Sequence, residues 1–272
     1  MSFAFTDQHL DQYHTQGYTV FRQILPSSLL GELRRVAAQA REIARQQRGV
    51  QTQRLQPVGN YPELDPRPFV DYAELAPLND AIQRTLTPRH THGDRQMLGI
   101  LLEPGELPWC TQWHRDWRDN VAGLDLALWD AHFSDVNYFN QVNCALYEDP
   151  CTWVVPGSHL RRDLPGEAAR FPERPIAGPV LDGLSYEERE RLCLDYCRSM
   201  PGALRLHLGA GDFCLYRNCL WHLGNYLPYQ LRATLHDAVD TPEFLAWRTM
   251  ALENAQARRT AGHGMDNPNK AR

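Results

Sequence analysis

No apolar run in this 272-residue chain approaches the roughly 20 residues that a membrane-crossing helix needs. Basic charge is not massed either. Lys and Arg total 28 against 33 Asp and Glu, a formal charge of −5, which leaves no field to hold nucleic acid. Cys-x-x-Cys is absent, and the cysteine count, seven, is odd. Reduced, mostly buried thiols of a cytoplasmic protein are therefore expected rather than a disulfide framework. The first residues lack a basic segment followed by an apolar core, so no secretory signal is expected, and the last four, Asn269-Lys270-Ala271-Arg272, are not of the Ser-Lys-Leu type. No internal repeat is present. What remains is a length sufficient for one large domain with a full core.

Along the chain, residues 6 to 15 read as a short helix capped by Thr6 and stopped by Gly17, with Tyr18-Thr19-Val20-Phe21 as a strand. Pro26-Ser27-Ser28 opens the clearest helix. In it Leu29, Leu33, Val36, Ala37, Ala40, Ile43 and Ala44 recur at helical spacing, and Arg34, Arg35, Arg41 and Arg45 are expected to face outward. One further helical piece lies around 75–86. Strands are expected over 97–102, 138–147, 151–155, 203–208, 212–216, 220–224 and 231–239, with a charged helix over 185–200. Helices first and short strands later predict an α+β domain over residues 1–252, its strands closing as a barrel or sandwich. Residues 253–272 read as a polar, loose tail.

The chemistry is concentrated in Trp109-Cys110-Thr111-Gln112-Trp113-His114-Arg115-Asp116-Trp117. On an extended segment residues i and i+2 share a face, so His114 and Asp116 project together. His-x-Asp occurs three times: His9/Asp11 sits in the first predicted helix, and His92/Asp94 in a turn-rich connection. Only the third lies among aromatic residues at a strand start. A histidine from a distant strand would complete a set of two imidazoles and one carboxylate, the facial triad of non-haem Fe(II) oxygenases, and His222 is the expected partner. Ten positions on, Arg232 lies among Leu231, Ala233 and Leu235, on one strand face with Thr234. A buried guanidinium stays charged and requires an anion, either a structural Asp or Glu or a bound carboxylate. Gln141 and Asn143 share a strand face and border the expected cosubstrate site. Ser158-His159 diverge on extended chain and fit a turn, while His207 and His236 fit hydrogen-bonded strand positions and His90 and His92 could take adventitious metal.

In order, Gly17-Tyr18-Thr19-Val20 with its following helix, Trp113-His114-Arg115-Asp116, Val154-Val155-Pro156-Gly157-Ser158-His159, Gly211-Asp212, His222-Leu223-Gly224-Asn225 and Arg232 resemble the phytanoyl-CoA dioxygenase-like branch of the Fe(II)/2-oxoglutarate-dependent oxygenases. The resemblance spans roughly residues 9 to 240. It implies a double-stranded β-helix core of jelly-roll or cupin-like type, backed by N-terminal helices. It implies Fe(II) on His114, Asp116 and His222, with Arg232 on the distal carboxylate of 2-oxoglutarate, assisted by Thr234. It further implies consumption of O₂ and 2-oxoglutarate, release of succinate and CO₂, and oxidation, usually hydroxylation, of a C–H bond in a small-molecule substrate. Halogenating relatives lack the carboxylate that Asp116 supplies, so halogenation is not expected.

Two segments depart from the resemblance: 118–137, expected to form a lid or substrate wall, and a charged insertion over 160–200. Arg118 at the mouth of the first suits an anionic substrate group, the alternative being a pairing with Asp119, Asp125 or Asp130. Trp109, Trp113 and Trp117 are expected either to wall the pocket, Trp117 against the substrate, or to be plain core. Two other readings remain: a non-catalytic barrel that binds iron or a small molecule, and a cupin-like dioxygenase that would not need Arg232. Substrate identity and oligomeric state are not legible.

Overall fold

The first helix begins where the Thr6-Asp7 signal puts it. In a computed structural model of the chain, which describes residues 3–260, α1 (Asp7–Gln16) has Thr6 at its N-cap. Gly17 ends it at a φ of 82°, a left-handed geometry that glycine adopts without strain. There follow β1 (Tyr18–Phe21), α2 (Ser27–Arg48), β2 (Arg54–Leu55), α3 (Arg67–Ala73), α4 (Ala76–Thr85), β3 (Gly99–Leu102) and β4 (Trp109–Cys110). The second half runs α5 (Leu126–Asp130), β5 (Asn140–Ala145), β6 (Thr152–Val154), α6 (Pro165–Arg170), α7 (Tyr186–Arg198), β7 (Leu204–Arg205), β8 (Phe213–Arg217), β9 (His222–Tyr226), β10 (Ala233–Ala238) and α8 (Pro242–Thr260).

The strands form two antiparallel sheets, one in the order β1-β8-β5-β10-β3-β2 and the other β4-β9-β6-β7. Period-2 alternation sorts the larger sheet's side chains. Phe21, Ile100, Leu102, Val142, Cys144, Phe213, Leu215 and Leu235 turn to one face, where they pack with Leu33, Val36, Ala37 and Ala40 of α2 and Leu78 and Ile82 of α4. The intervening positions Tyr18, Val20, Ala145, Cys214 and Tyr216 turn inward and meet Val154, Leu206 and Leu208 from the smaller sheet. Burial of this first face behind helices gives the sheet a dry back, and the interior between the sheets is left to the site. The insertion covers the other side of the smaller sheet: Cys193 and Cys197 of α7, with Phe171 and Ile176, pack on Trp113, Trp153, Trp221 and Leu223. All seven cysteines are free and buried. Among the described residues no helix is long and apolar enough to cross a membrane.

Three expectations change. Arg41 does not face outward: it is buried, its guanidinium on the Glu103 carboxylate at 2.9 Å and its Nη2 on the Arg232 carbonyl at 2.9 Å. The helical period placed it on the flank of the apolar stripe, and an acidic residue from the end of β3 draws it in. Arg45 joins the same carboxylate at 2.8 Å. Glu103→Ala therefore leaves a buried cation without its partner, and chemical denaturation should show a loss of about 3–5 kcal/mol. Secondly, residues 253–260 are not loose. They continue α8, whose Phe244, Trp247 and Ala251 pack against Leu124, Trp129 and Phe139; the remainder of the expected tail lies outside the described residues. Thirdly, only two residues of 203–208 form a strand, because Leu206 and Leu208 bond to Thr152 and Asp149 outside a regular ladder.

Candidate metal centre and cosubstrate pocket

The expected strand at residues 109–117 is mostly irregular. Only Trp109 and Cys110 pair regularly, with Tyr226 and Asn225; thereafter His114 makes an isolated bridge with His222, each N–H donating to the other's carbonyl at 3.1 and 3.0 Å. This bridge brings two histidines more than a hundred residues apart side by side, ring centroids 4.2 Å apart. Asp116 begins the turn that follows, and its N–H donates to the Asn218 carbonyl at 2.8 Å. Its carboxylate then lies 3.4 Å from His114 Nε2 and 3.9 Å from His222 Nε2. One donor atom from each of His114, Asp116 and His222 falls within 4.8 Å of the other two, and no other such cluster occurs among the described residues. His9/Asp11 lies on α1, and His92 sits edge-on to Tyr72. Neither belongs to the cluster.

The tautomers suit a metal. His114 Nδ1 lies 2.8 Å from the Gln112 carbonyl and His222 Nδ1 3.0 Å from that of Leu220. A carbonyl only accepts, so each Nδ1 carries the proton and each Nε2 offers its lone pair to the shared space. Burial, reinforced by the neighbouring His114, pushes His222 down to about 4 and keeps it neutral. Burial opposes charge on Asp116 too, yet its hydrogen bond to His114 and the surrounding imidazoles together outweigh it, so the carboxyl is held well below its usual range. Burial also disfavours charge on His114, and the Asp116 carboxylate reverses the balance upward. Two imidazoles with free Nε2 atoms and an ionised carboxylate, facing one cavity from one side, fit a divalent ion of borderline softness.

That cavity, about 570 Å³, lies between the two sheets and includes Arg232, Gln141, Asn143, His236, Tyr216 and Trp117 in its lining. Arg232 is buried. Its Nε donates to Asp149 at 2.9 Å, its guanidinium lies 5.0 Å from the Tyr226 ring centre, and its Nη1 has no hydrogen-bond partner among the described residues. Of the two anions weighed from the sequence the structural one is present: Asp149 takes the Nε edge, and Nη1 is left unmatched. Thr234 lies beside it, but its hydroxyl donates to Asp149 rather than into the cavity. Asn143 and Gln141 border the cavity through a chain of hydrogen bonds. His236 Nδ1 lies 2.8 Å from Asn143 Oδ1, Gln141 Nε2 lies 2.9 Å from His236 Nε2, and Asn143 Nδ2 donates to Thr152 Oγ1 at 3.0 Å. Burial pushes His236 down to about 3, so it is a neutral relay in this chain.

Arg118 does not reach the cavity, which corrects the anionic-substrate expectation attached to it. Its Nε and Nη2 fork onto Asp119 at 2.7 and 2.8 Å, and its Nη1 donates to Asp163 at 2.9 Å. The fully buried Arg115 shares Asp163 at 3.1 Å. Two carboxylates take every edge of the Arg118 guanidinium, so nothing remains for a ligand. Arg118→Ala should raise susceptibility to limited proteolysis and lower thermal stability, with no selective rise in substrate KM. Trp117 does line the cavity. It adopts a left-handed φ of 68°, and its ring packs edge-on to Phe244 and Trp247 of α8. Trp113 is core and Trp109 stacks on Tyr226, 4.8 Å between centroids. Residues 118–137 pack partly against α8, with Asn120 and Val121 on the cavity wall.

Sequence reasoning missed Asp149, Asn218 and Asn120. Asp149 stands in Glu148-Asp149-Pro150, the short connection between the strands expected over 138–147 and 151–155. Asn120 Nδ2 donates to Asp116 Oδ1 at 2.6 Å while its Oδ1 accepts the Trp117 N–H at 2.8 Å. Its position four residues after Asp116 was the available signal. Asp237, in the cavity lining, is raised to about 7 because burial outweighs two backbone N–H donors. A carboxyl raised on folding favours the folded state below its unfolded value near 4, and that contribution is lost as pH climbs through 7. Asp237→Asn should therefore flatten the fall in denaturation free energy between about pH 4 and 7. An unchanged slope would show that Asp237 stays ionised.

No protein-family model matches the sequence, and no curated protein does. Solved structures do match in fold. AviO1 from Streptomyces viridochromogenes Tue57 is 13% identical, with a TM-score of 0.57 over 89% of this chain and 97% of its own. EvdO2 from Micromonospora carbonacea var. aurantiaca is 14% identical, with a TM-score of 0.53 over 89% and 94%, and is also known complexed with 2-oxoglutarate. SnoN from nogalamycin biosynthesis, a non-haem α-ketoglutarate-dependent epimerase, is 13% identical, with a TM-score of 0.51 over 86% and 80%, and is known with Fe³⁺, α-ketoglutarate and a nogalamycin compound. At such identities the likeness is one of fold, and the fold of this chain is that of non-haem α-ketoglutarate-dependent enzymes such as SnoN.

Proposed function

We propose that this protein is a non-haem Fe(II)- and 2-oxoglutarate-dependent oxygenase that oxidises a C–H bond of a small molecule, with the facing sheets as a double-stranded β-helix core. The observation that carries this reading is the convergence of His114, Asp116 and His222, both Nε2 atoms bare, on a cavity lined also by Arg232, whose buried Nη1 has no partner among the described residues. His114, Asp116 and His222 would hold the iron and Arg232 the distal carboxylate of 2-oxoglutarate, with Asn143 and Gln141 bordering it. When bound, iron with 2-oxoglutarate and O₂ supplies an oxidant for an unactivated C–H bond, releasing succinate and CO₂. The chain's own residues orient this chemistry: the carbonyls of Gln112 and Leu220 fix the imidazole tautomers, and Asn120 fixes the carboxylate.

Hydroxylation is the reaction we propose. The oxidising class also holds epimerisation, the activity of SnoN. Supporting the oxygenase reading over a non-catalytic barrel, the Arg232 edge is open although burial of an unmatched donor is costly. Anaerobic titration with Fe(II) and then 2-oxoglutarate should produce a visible charge-transfer band, and admission of air should release succinate. Binding without any O₂-dependent succinate would leave the non-catalytic reading standing.

A further inference from the structure

Gln141 and Tyr216 lie together on the inner face of the larger sheet, and Asn218 opens the turn that follows β8. Gln141 is the register partner of Tyr216 across β5 and β8, and Asn218 follows two positions after Tyr216. All three line the cavity. The patch fronts the metal-binding cluster directly: the Asn218 carbonyl accepts the Asp116 N–H at 2.8 Å, and the Tyr216 ring centre is 5.7 Å from that of His222. Asn218 is only 6% exposed, yet its side-chain Oδ1 has no hydrogen-bond partner among the described residues. Gln141 Oε1 is likewise buried and unpartnered, because the other end of its amide is held by His236.

Buried polar atoms left unmatched are costly, and a cluster of them beside a reactive centre marks where a ligand completes the set. The chemistry of the cluster limits that ligand. An amide side chain offers a carbonyl acceptor and an N–H donor but no charge, and a phenol offers a hydroxyl. A hydroxyl group, donor and acceptor at once, complements both. A carboxylate accepts only, so it would face the two orphaned oxygens without a proton to give them. Of the charged groups nearby, Arg248 is paired with Asp240 at 3.7 Å, and Arg232 has Asp149 on one edge and, in the oxygenase reading, 2-oxoglutarate for the other. Trp117 and the Tyr216 ring supply flat apolar surface to the same space.

Resting on the oxygenase reading above, we infer that Gln141, Tyr216 and Asn218 form the substrate subsite, and that it takes a neutral molecule presenting hydroxyl groups next to the oxidised carbon. Arg54, exposed on β2 at the cavity lining, is the feature that would favour an anion instead, so the test opposes the two chemistries.

The protein is loaded anaerobically with Fe(II) and 2-oxoglutarate and titrated with two probe sets, methyl glycosides with cyclitols, and aliphatic carboxylates of similar size. Binding is read by calorimetry and by quenching of tryptophan fluorescence. The subsite predicts saturable binding of at least one hydroxylated probe and none of the carboxylates at equal concentration. Asn218→Ala should weaken that probe about tenfold, the scale of one lost buried hydrogen bond, and Gln141→Leu should act in the same direction. The charge-transfer band of the loaded complex should persist in Asn218→Ala, which keeps the backbone carbonyl that accepts the Asp116 N–H. Preferential carboxylate binding, no binding from the hydroxylated set, or a probe affinity untouched by both variants each overturns the inference while the band still stands. Loss of the band in the unsubstituted protein instead overturns the oxygenase reading beneath it.

Discussion

Replacement of His114 by alanine is expected to abolish the visible charge-transfer band of the anaerobic Fe(II)/2-oxoglutarate complex and, with it, succinate release. The imidazole is one of three protein donors, and its Nε2 lies 3.4 Å from the Asp116 carboxylate that would share the ion. Two remaining donors cannot hold the same face of an octahedral site. His222→Ala should do the same, since the mutual backbone bridge and the 4.2 Å ring separation make the histidines a pair. The variants should stay folded, because the bridge between residues 114 and 222 is made by backbone atoms that alanine retains. His9→Ala, at the first of the three His-x-Asp matches, serves as the control: it lies on α1 and should leave the band intact. A band that survived in His114→Ala with full succinate release would remove His114 from the metal site.

Periodicity in the sequence located most elements because each buries one face. The α2 stripe of Leu33, Val36, Ala37 and Ala40 is the same set that packs on the larger sheet. Strands β5 and β10 lie within their expected ranges, and β8 overruns its own by one residue, because their two faces differ, one toward helices and one toward the site. The donors of the cluster were legible for a different reason: aromatic surroundings singled out one His-x-Asp among three. The route by which they meet was not legible. His114 and Asp116 share a face not through a regular strand but through an isolated bridge followed by a turn, and a spacing of two is compatible with both.

Ion pairing was the least legible layer. Arg118 pairs with Asp119, one of the partners the sequence offered. Arg41 and Arg115, by contrast, sit at positions where local pattern says only that a charge is present, and their partners, Glu103 and Asp163, lie more than forty residues away. Such pairs depend on tertiary contacts that no local period encodes. The same holds for Asp149, which reaches Arg232 across 83 residues. Its presence changes what an arginine substitution will do.

Arg232→Gln should consequently produce two separable losses. The first is in cosubstrate binding. The Nη1 edge that now has no partner would no longer offer a charged donor to the distal carboxylate of 2-oxoglutarate. Loss of a charged partner in a buried site costs about 2–5 kcal/mol, so apparent 2-oxoglutarate affinity should fall by more than tenfold, with Fe(II) affinity nearly unchanged. The second loss is in stability. Burial penalises charge on Asp149, and the neighbouring Arg232 cation, together with the hydrogen bonds from Thr234 and the Cys151 N–H, outweighs it, holding that carboxyl below its usual range. Without the guanidinium, Asp149 keeps only the Thr234 hydroxyl and the Cys151 N–H at 2.9 Å. Breaking a buried pair from one side costs about 3–5 kcal/mol, which denaturant unfolding should register. Asp149→Asn distinguishes the two roles: it should lower stability while leaving Arg232 charged and able to hold the cosubstrate. If Arg232→Gln weakened Fe(II) and 2-oxoglutarate equally, or if Asp149→Asn reproduced its selective loss of 2-oxoglutarate, the arginine would be a structural residue and the open edge would need another explanation.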